Sequence, residues 1–343
     1  NTRPPLDDPT IVRAVLAIGA DALCEVVSSG CITTGRAGEA LAPMGELYGL
    51  GVRVFTDDGS CVMSAGLMRR ALEYSLGLPG SVVAQHAEDD TMCAGGSMHE
   101  GAVSSRLGIP GRPGEAEAII VARDIRLAAL TGAHVHFLHL STAASVDLVR
   151  AAKRDGVRVT CEVAPHHFTL TDEALSTPIP YDTNTKMNPP LRELADRDAM
   201  IQGIVVGTVD VIATDHAPHR YDEKNVEFDR APFGIVGLET AVPLTLDRLV
   251  HTGLIPLSKM IQLLSVNPAR VLRIAGGSLA EGALADITIL APDMPVRIAA
   301  AALRSKSKNT PFDGWELRGG VAATIVGGRT VYLNPGAPVA RGL

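Results

Sequence analysis

The chain predicts an α/β protein: a (β/α)8 barrel of the TIM type carrying a small β-rich accessory domain. Three observations lead there. Apolar, β-branched runs alternate with amphipathic helical stretches, the pattern of a parallel sheet with crossover helices. Several of those runs end in acids and histidines, as in Ala213-Thr-Asp-His-Ala-Pro-His219 after the run 209–213, and a barrel presents its chemistry at the carboxyl ends of its strands. After the helix-rich stretch 239–274 the composition shifts to short strand patterns with Gly turns, at 282–290 and 321–332. The expected division is a barrel over residues 1–275 and a small β domain over 276–343.

Six strands are expected in the barrel, at 22–28, 52–56, 81–85, 133–138, 157–163 and 209–213, with helices between them such as 67–76, 116–130 and 143–153. That is two short of eight. An isolated six-stranded arc would expose two unpaired edges and an apolar interior, so the missing strands are expected to precede a sequence that starts late. The first residue is Asn1 rather than Met, and the opening Asn1-Thr-Arg-Pro-Pro5 has neither the charge nor the apolar core of a signal peptide. The polar, Pro-stopped segment 304–311 reads as a loop.

With 343 residues, 46% hydrophobic and 20% charged, the chain has ample core, and nothing in it suggests disorder. Its net charge of −7 argues against nucleic acid or an anionic membrane surface as partner. No run of apolar residues is long enough to span a bilayer. Five cysteines, Cys24, Cys31, Cys61, Cys93 and Cys161, form no CxxC pair and cannot all pair within one chain. A reducing cytoplasm is the expected location.

Four strand ends carry metal-type side chains: the fourth barrel strand ends in Asp57-Asp58-Gly59, the fifth in His86-Ala-Glu88, the sixth in His139 and the eighth in Asp215. Two imidazoles and two carboxylates on one rim make a first shell for a borderline divalent cation such as zinc. Alternation puts His134, His136 and Leu138 on one face of their strand, so His139, at its exit, is the better candidate ligand. Each residue has an ordinary explanation alone; Asp57-Asp58-Gly59, for one, is good turn chemistry. Coincidence at four strand ends is harder to explain that way. On spacing alone, either acid of Asp57-Asp58 could serve.

The chain resembles the class I bacterial dihydroorotases of the amidohydrolase superfamily, a set of metal-dependent hydrolases. The resemblance rests on Asn1-Thr-Arg-Pro-Pro5, Phe55-Thr-Asp-Asp-Gly59, His86-Ala-Glu-Asp89, His139-Leu-Ser-Thr142, Asn188-Pro-Pro-Leu-Arg192, Thr214-Asp-His-Ala-Pro-His219 and Phe233-Gly-Ile-Val-Gly-Leu-Glu-Thr240, in that order. The family's first strand carries a His-x-His pair and an arginine, which this sequence lacks. The resemblance implies reversible cyclisation of N-carbamoyl-L-aspartate to (S)-dihydroorotate in pyrimidine biosynthesis, at two zinc ions. Asp58 would bridge the ions, His86 and His139 would hold one and Asp215 the other. Asp215 would also shuttle the proton. Asn1, Asn188 and His219, with the backbone at Phe233 and Gly234, would bind substrate. His166 and His167 look like a metal pair but match no ligand of the family.

The alternatives are another cyclic amidohydrolase, a hydantoinase or allantoinase, in which a carboxylated lysine is usual where this chain has Asp57-Asp58, or a non-catalytic scaffold partner of aspartate transcarbamoylase. A homodimer and a complex with aspartate transcarbamoylase are the assemblies the resemblance implies.

Overall fold

The structure is a computed structural model that describes residues 2–337. Asp8 caps the opening helix Pro9–Gly19 by accepting from Thr10 N at 2.6 Å, and Pro9 stands at its first position, where a missing N–H costs nothing. The strands follow in the order β1 Val54–Phe55, β2 Val82–Gln85, β3 Met98–His99, β4 Gly111–Arg112, β5 Val135–Phe137, β6 Val159–Val163 and β7 Val211–Ile212, and then β8 Ile287–Arg297, β9 Glu316–Val326 and β10 Arg329–Leu333.

Strands β1, β2, β5, β6 and β7 form one five-stranded parallel sheet in that spatial order. A doubly wound sheet would reverse its strand order part-way; this one runs in a single direction, as the wall of a β/α barrel does. Helices Ala65–Ser75, Glu115–Thr131, Ala143–Arg154 and Leu194–Val206 cross over between the strands. Phe55, Val83, Val135, Phe137, Val163 and Ile212 of the sheet share one core with Met68, Leu72, Val121, Val146, Val149, Met200 and Ile204 of these helices. Each such buried side chain contributes about 1.5–3 kcal/mol. His134 and His136 point the other way, and both meet the Thr160 hydroxyl at 2.8 Å.

One expected strand is absent. The run 22–28 has no regular structure, and Leu23, Val26 and Val27 are exposed to 65%, 38% and 50%. Only Gly30 pairs with the sheet: its N–H donates to Val54 O at 2.9 Å and its carbonyl accepts from Thr56 N at 2.8 Å. Strand preference is a fit to a half-buried pleated surface, and the described residues bury little of this run.

Strands β8, β9 and β10 form a separate antiparallel sheet in the order β10-β9-β8. The Gly327-Gly328 turn between β9 and β10 has φ of 53° and 77°, the doubly positive geometry of a tight hairpin that glycine reaches without strain. The β8–β9 register shifts between Ala291 and Pro295, where Pro292 and Pro295 cannot donate to a ladder. Ile298 and Leu317 tie this region to a second core with Leu244, Ile235, Met98 and Phe312. Among the described residues, no helix is long and apolar enough to cross a membrane.

Close backbone packing locks the end of β7. A Cβ at Gly237 would stand 2.2 Å from the carbonyl oxygen of Thr214, the residue before Asp215. Backbone cannot step aside as a flexible side chain can, so Gly237→Ala is expected to cost about 1–3 kcal/mol in chemical denaturation. Wild-type stability in that variant would show that the approach is looser than described.

Candidate active site and metal centre

Beyond β1 the chain turns through Thr56-Asp57-Asp58-Gly59, and the two acids part company. Asp57 is 1% exposed; its Oδ1 accepts from Ile32 N at 2.9 Å and Thr33 N at 3.0 Å, and its Oδ2 from the Thr33 hydroxyl. It therefore fastens the segment after Gly30 to the sheet. Asp58 points instead to the rim, where its Oδ1 also takes the Gly59 N–H at 2.8 Å. The choice that spacing leaves open between these acids is thus made by the backbone groups that occupy the first.

His86 follows β2 directly, and His139 lies two residues beyond β5. Both are buried. His86 Nδ1 stands 3.2 Å from His139 Nε2, His139 Nε2 stands 3.1 Å from Asp58 Oδ1, and His86 Nδ1 stands 3.6 Å from the same oxygen. A tetrahedral zinc with bonds of about 2.0–2.1 Å needs donor atoms about 3.3–3.4 Å apart. The three separations, 3.1–3.6 Å, bracket that spacing, and the donor set suits the ion.

Electrostatics favour a cation here. Burial alone would raise the Asp58 carboxyl, yet hydrogen bonds and charge from His139 and His86 hold it well below the usual carboxylate range. Burial would lower both imidazoles, but Asp58 and Asp215 push His139 up, and Asp58 and Glu88 push His86 up.

Asp215 stands apart from this trio. It follows β7 with φ 47°, and its Oδ2 lies 3.7 Å from His166 Nε2. The compact group of possible metal ligands among the described residues is Asp58, His86 and His139 without it, so the expected convergence of four side chains holds in this compact form for three. Asp215 still feels the trio: burial first, then the charges of Asp58 and Glu162, raise its carboxyl, while His139 and His86 oppose that rise. His166, which family matching sets aside, is buried with its Nε2 unpartnered beside this acid. Burial and the neighbouring His167 hold it far below the usual imidazole range, hence neutral.

The described residues expected at the substrate, Asn188, His219, Phe233 and Gly234, form one linked wall. Asn188 Nδ2 donates to Glu88 Oε2 at 2.9 Å and lies 3.2 Å from His86 Nε2, while its Oδ1 accepts from Arg112 at 3.0 Å. Arg112 also pairs with Glu88 at 2.9 Å and lies over the Phe233 ring at 4.3 Å. Lys186 Nζ is 4.6 Å from the centre of that ring. His219 Nε2 donates to Phe233 O at 2.7 Å, and a Cβ at Gly234, where φ is 116°, would meet the Ala217 Cβ at 2.4 Å. A cavity of about 660 Å³ opens beside His219, lined also by Thr183, Lys224 and Asn309. Asn1 lies outside the described residues. Sequence reasoning missed Arg112, at the end of the two-residue strand β4, and Lys186, in a loop; neither lies in a segment with period or motif. Glu88 was visible, two residues from His86, but its link to Asn188 exists only in the fold.

Residues 12–145 match the Dihydro-orotase-like family and residues 232–332 the Amidohydrolase family. A dihydroorotase of Pelotomaculum thermopropionicum is 53% identical over 334 residues, which are 97% of this chain and 77% of that protein. The chain belongs to the dihydroorotase family. Another member, from Pelobacter propionicus, is 50% identical over 97% of this chain and 77% of its own length. Among solved structures, the L-hydantoinase of Arthrobacter aurescens superposes with a TM-score of 0.79 at 22% identity, covering 95% of this chain and 76% of that one. Dihydropyrimidinase from Brevibacillus agri gives 0.75 at 23% identity, covering 86% of this chain and 68% of that one. These two likenesses establish the barrel fold.

Within the dihydroorotase family assignment, the two adjacent acids of this chain should separate cleanly on mutation. Asp57→Asn is expected to cost about 1–3 kcal/mol of stability, because an NH2 group in place of Oδ2 cannot accept from the buried Thr33 hydroxyl, while metal content is kept. Asp58→Asn is expected to deplete metal. Denaturation and metal analysis of both variants check this; the reverse pattern would contradict the assignment.

Proposed function

We propose that the chain works as a zinc-dependent dihydroorotase, interconverting N-carbamoyl-L-aspartate and (S)-dihydroorotate. The observation that carries this reading is the trio Asp58, His86 and His139 at ligand spacing on the strand ends of a chain of this family. A hydantoinase or allantoinase would be expected to carry a carboxylated lysine where Asp57-Asp58 stand. A scaffold partner of aspartate transcarbamoylase would gain nothing from burying two imidazoles against a carboxylate, an arrangement whose desolvation only a cation or shared protons offset.

In this reading Asp58, His86, His139 and Asp215 are metal ligands in a site for two zinc ions. Bound there, zinc would polarise the ring carbonyl and make water a nucleophile at neutral pH. In the hydrolytic direction a C–O bond forms at that carbonyl carbon, and the C–N bond to the ring nitrogen breaks. Asp215 takes the proton that water loses and returns it to the departing nitrogen. A carboxylate within reach of both atoms can serve both halves of that transfer. Asn188, His219, Phe233 and Gly234, with Asn1, grip the substrate, and Arg112 keeps the amide of Asn188 oriented. The five unpaired cysteines fit a reducing compartment, and the cytoplasm is the proposed one.

Steady-state assays with dihydroorotate, and with hydantoin as the competing substrate class, test the proposal. Turnover of hydantoin alone would overturn it. Asp215→Asn is expected to lower kcat by about 10²–10⁴-fold, since an amide cannot take up and return a proton. His219→Ala is expected to raise KM chiefly, because a grip shared by ground and transition states adds little to kcat. Near wild-type kcat in Asp215→Asn with metal bound would remove Asp215 from the proton path.

A further inference from the structure

We propose that Glu117 is a positioning residue that holds His139 in its metal-binding pose through the turn that follows it. The inference rests on the proposed metal site. Glu117 lies in the first turn of helix Glu115–Thr131 and is 2% exposed. Its carboxylate spends itself on two consecutive residues of the His139-Leu-Ser-Thr142 segment. Oε1 accepts from Ser141 N at 3.2 Å, Thr142 N at 3.0 Å and Thr142 Oγ1 at 2.8 Å; Oε2 accepts from Ser141 N at 3.1 Å and from the Ser141 hydroxyl. Arg192 closes the network from the far side, its Nε donating to Ser141 Oγ at 3.1 Å and a guanidinium N–H to Arg112 O at 2.8 Å. The charge of Arg192 and these hydroxyl donors outweigh burial and keep Glu117 ionised.

Two features of His139 make this anchor consequential. Its φ is 28°, a left-handed value that an L-residue holds only when its surroundings over-determine the backbone. The sheet supplies part of that constraint, through Leu138 N to Gln85 O at 3.1 Å and Leu140 N to Glu162 O at 2.9 Å. Glu117 supplies the next two points along the chain. Secondly, a ligating histidine usually has its ring fixed by a hydrogen bond at its other nitrogen. His86 has Asn188 and Glu88 beside its Nε2, whereas among the described residues no protein group hydrogen-bonds the buried Nδ1 of His139. The ring of His139 is therefore aimed by its backbone, and its backbone by the sheet and Glu117 together.

The test is zinc affinity by chelator competition in the full-length protein, together with the visible spectrum of its cobalt-substituted form and the melting temperature of the metal-free form. Glu117→Gln keeps the size of the side chain but presents an NH2 group to donors. It is expected to lose about 10–100-fold in zinc affinity and to alter the cobalt d–d bands. Unchanged affinity and bands, with only a lower melting temperature, would make Glu117 a purely structural residue and overturn the proposal. If Glu117→Gln fails to fold, Ser141→Ala is read instead: it removes one O–H donor from the carboxylate, a several-fold loss of affinity is expected, and an unchanged affinity overturns the proposal. A wild-type protein that binds no zinc would fell the metal reading and this one with it. A wild-type protein that binds zinc beside a variant of equal affinity would fell this one alone.

Discussion

The site depends on the parallel pairing of β2 with β5. Gln85 sits opposite Phe137 in that ladder, and the chains then leave the sheet side by side, one into His86 and the other into His139. A one-residue slip would turn each strand's buried face outward and carry the imidazoles away from each other. The register is secured by apolar burial on the helix side, where Val83, Val135 and Phe137 are all 0% exposed. The core beneath the rim therefore fixes the spacing of two nitrogen atoms above it, and chemistry at that spacing inherits the rigidity of the sheet.

Charge is the second constraint. Burying two imidazoles beside Asp58, with Asp215 and Glu162 near enough to raise His139, creates a field that demands positive charge. A divalent cation would compete with protons for the same lone pairs, which couples affinity to proton release. Around this centre the network Glu88–Arg112–Asn188 joins His86 to the proposed substrate wall. Arg112 is balanced by Glu88 at 2.9 Å and stacked on Phe233, so its part is to order neighbours.

Much of this was legible in the sequence because period and strand-end polarity are local signals. The runs at 52–56, 81–85, 133–138, 157–163 and 209–213 each contain a strand of the sheet, and helices Ala65–Ser75, Glu115–Thr131 and Ala143–Arg154 overlap their expected ranges. The run 22–28 misled, since β-branched composition reports suitability for a buried pleat and cannot report whether a neighbour covers it. The parting of Asp57 from Asp58 was invisible, as it depends on N–H groups more than 20 residues earlier in the chain. His166 beside Asp215 and Glu117 beneath Ser141 and Thr142 were hidden for the same reason: their partners are close in space and far in sequence.

Diffraction from crystals of the zinc-loaded full-length protein, recorded on both sides of the zinc absorption edge, tests the central claim most directly. The account predicts an anomalous peak among Asp58, His86 and His139, about 2.0–2.1 Å from both imidazole nitrogens. A zinc peak elsewhere, with the His86 and His139 rings turned away from it, would contradict the account.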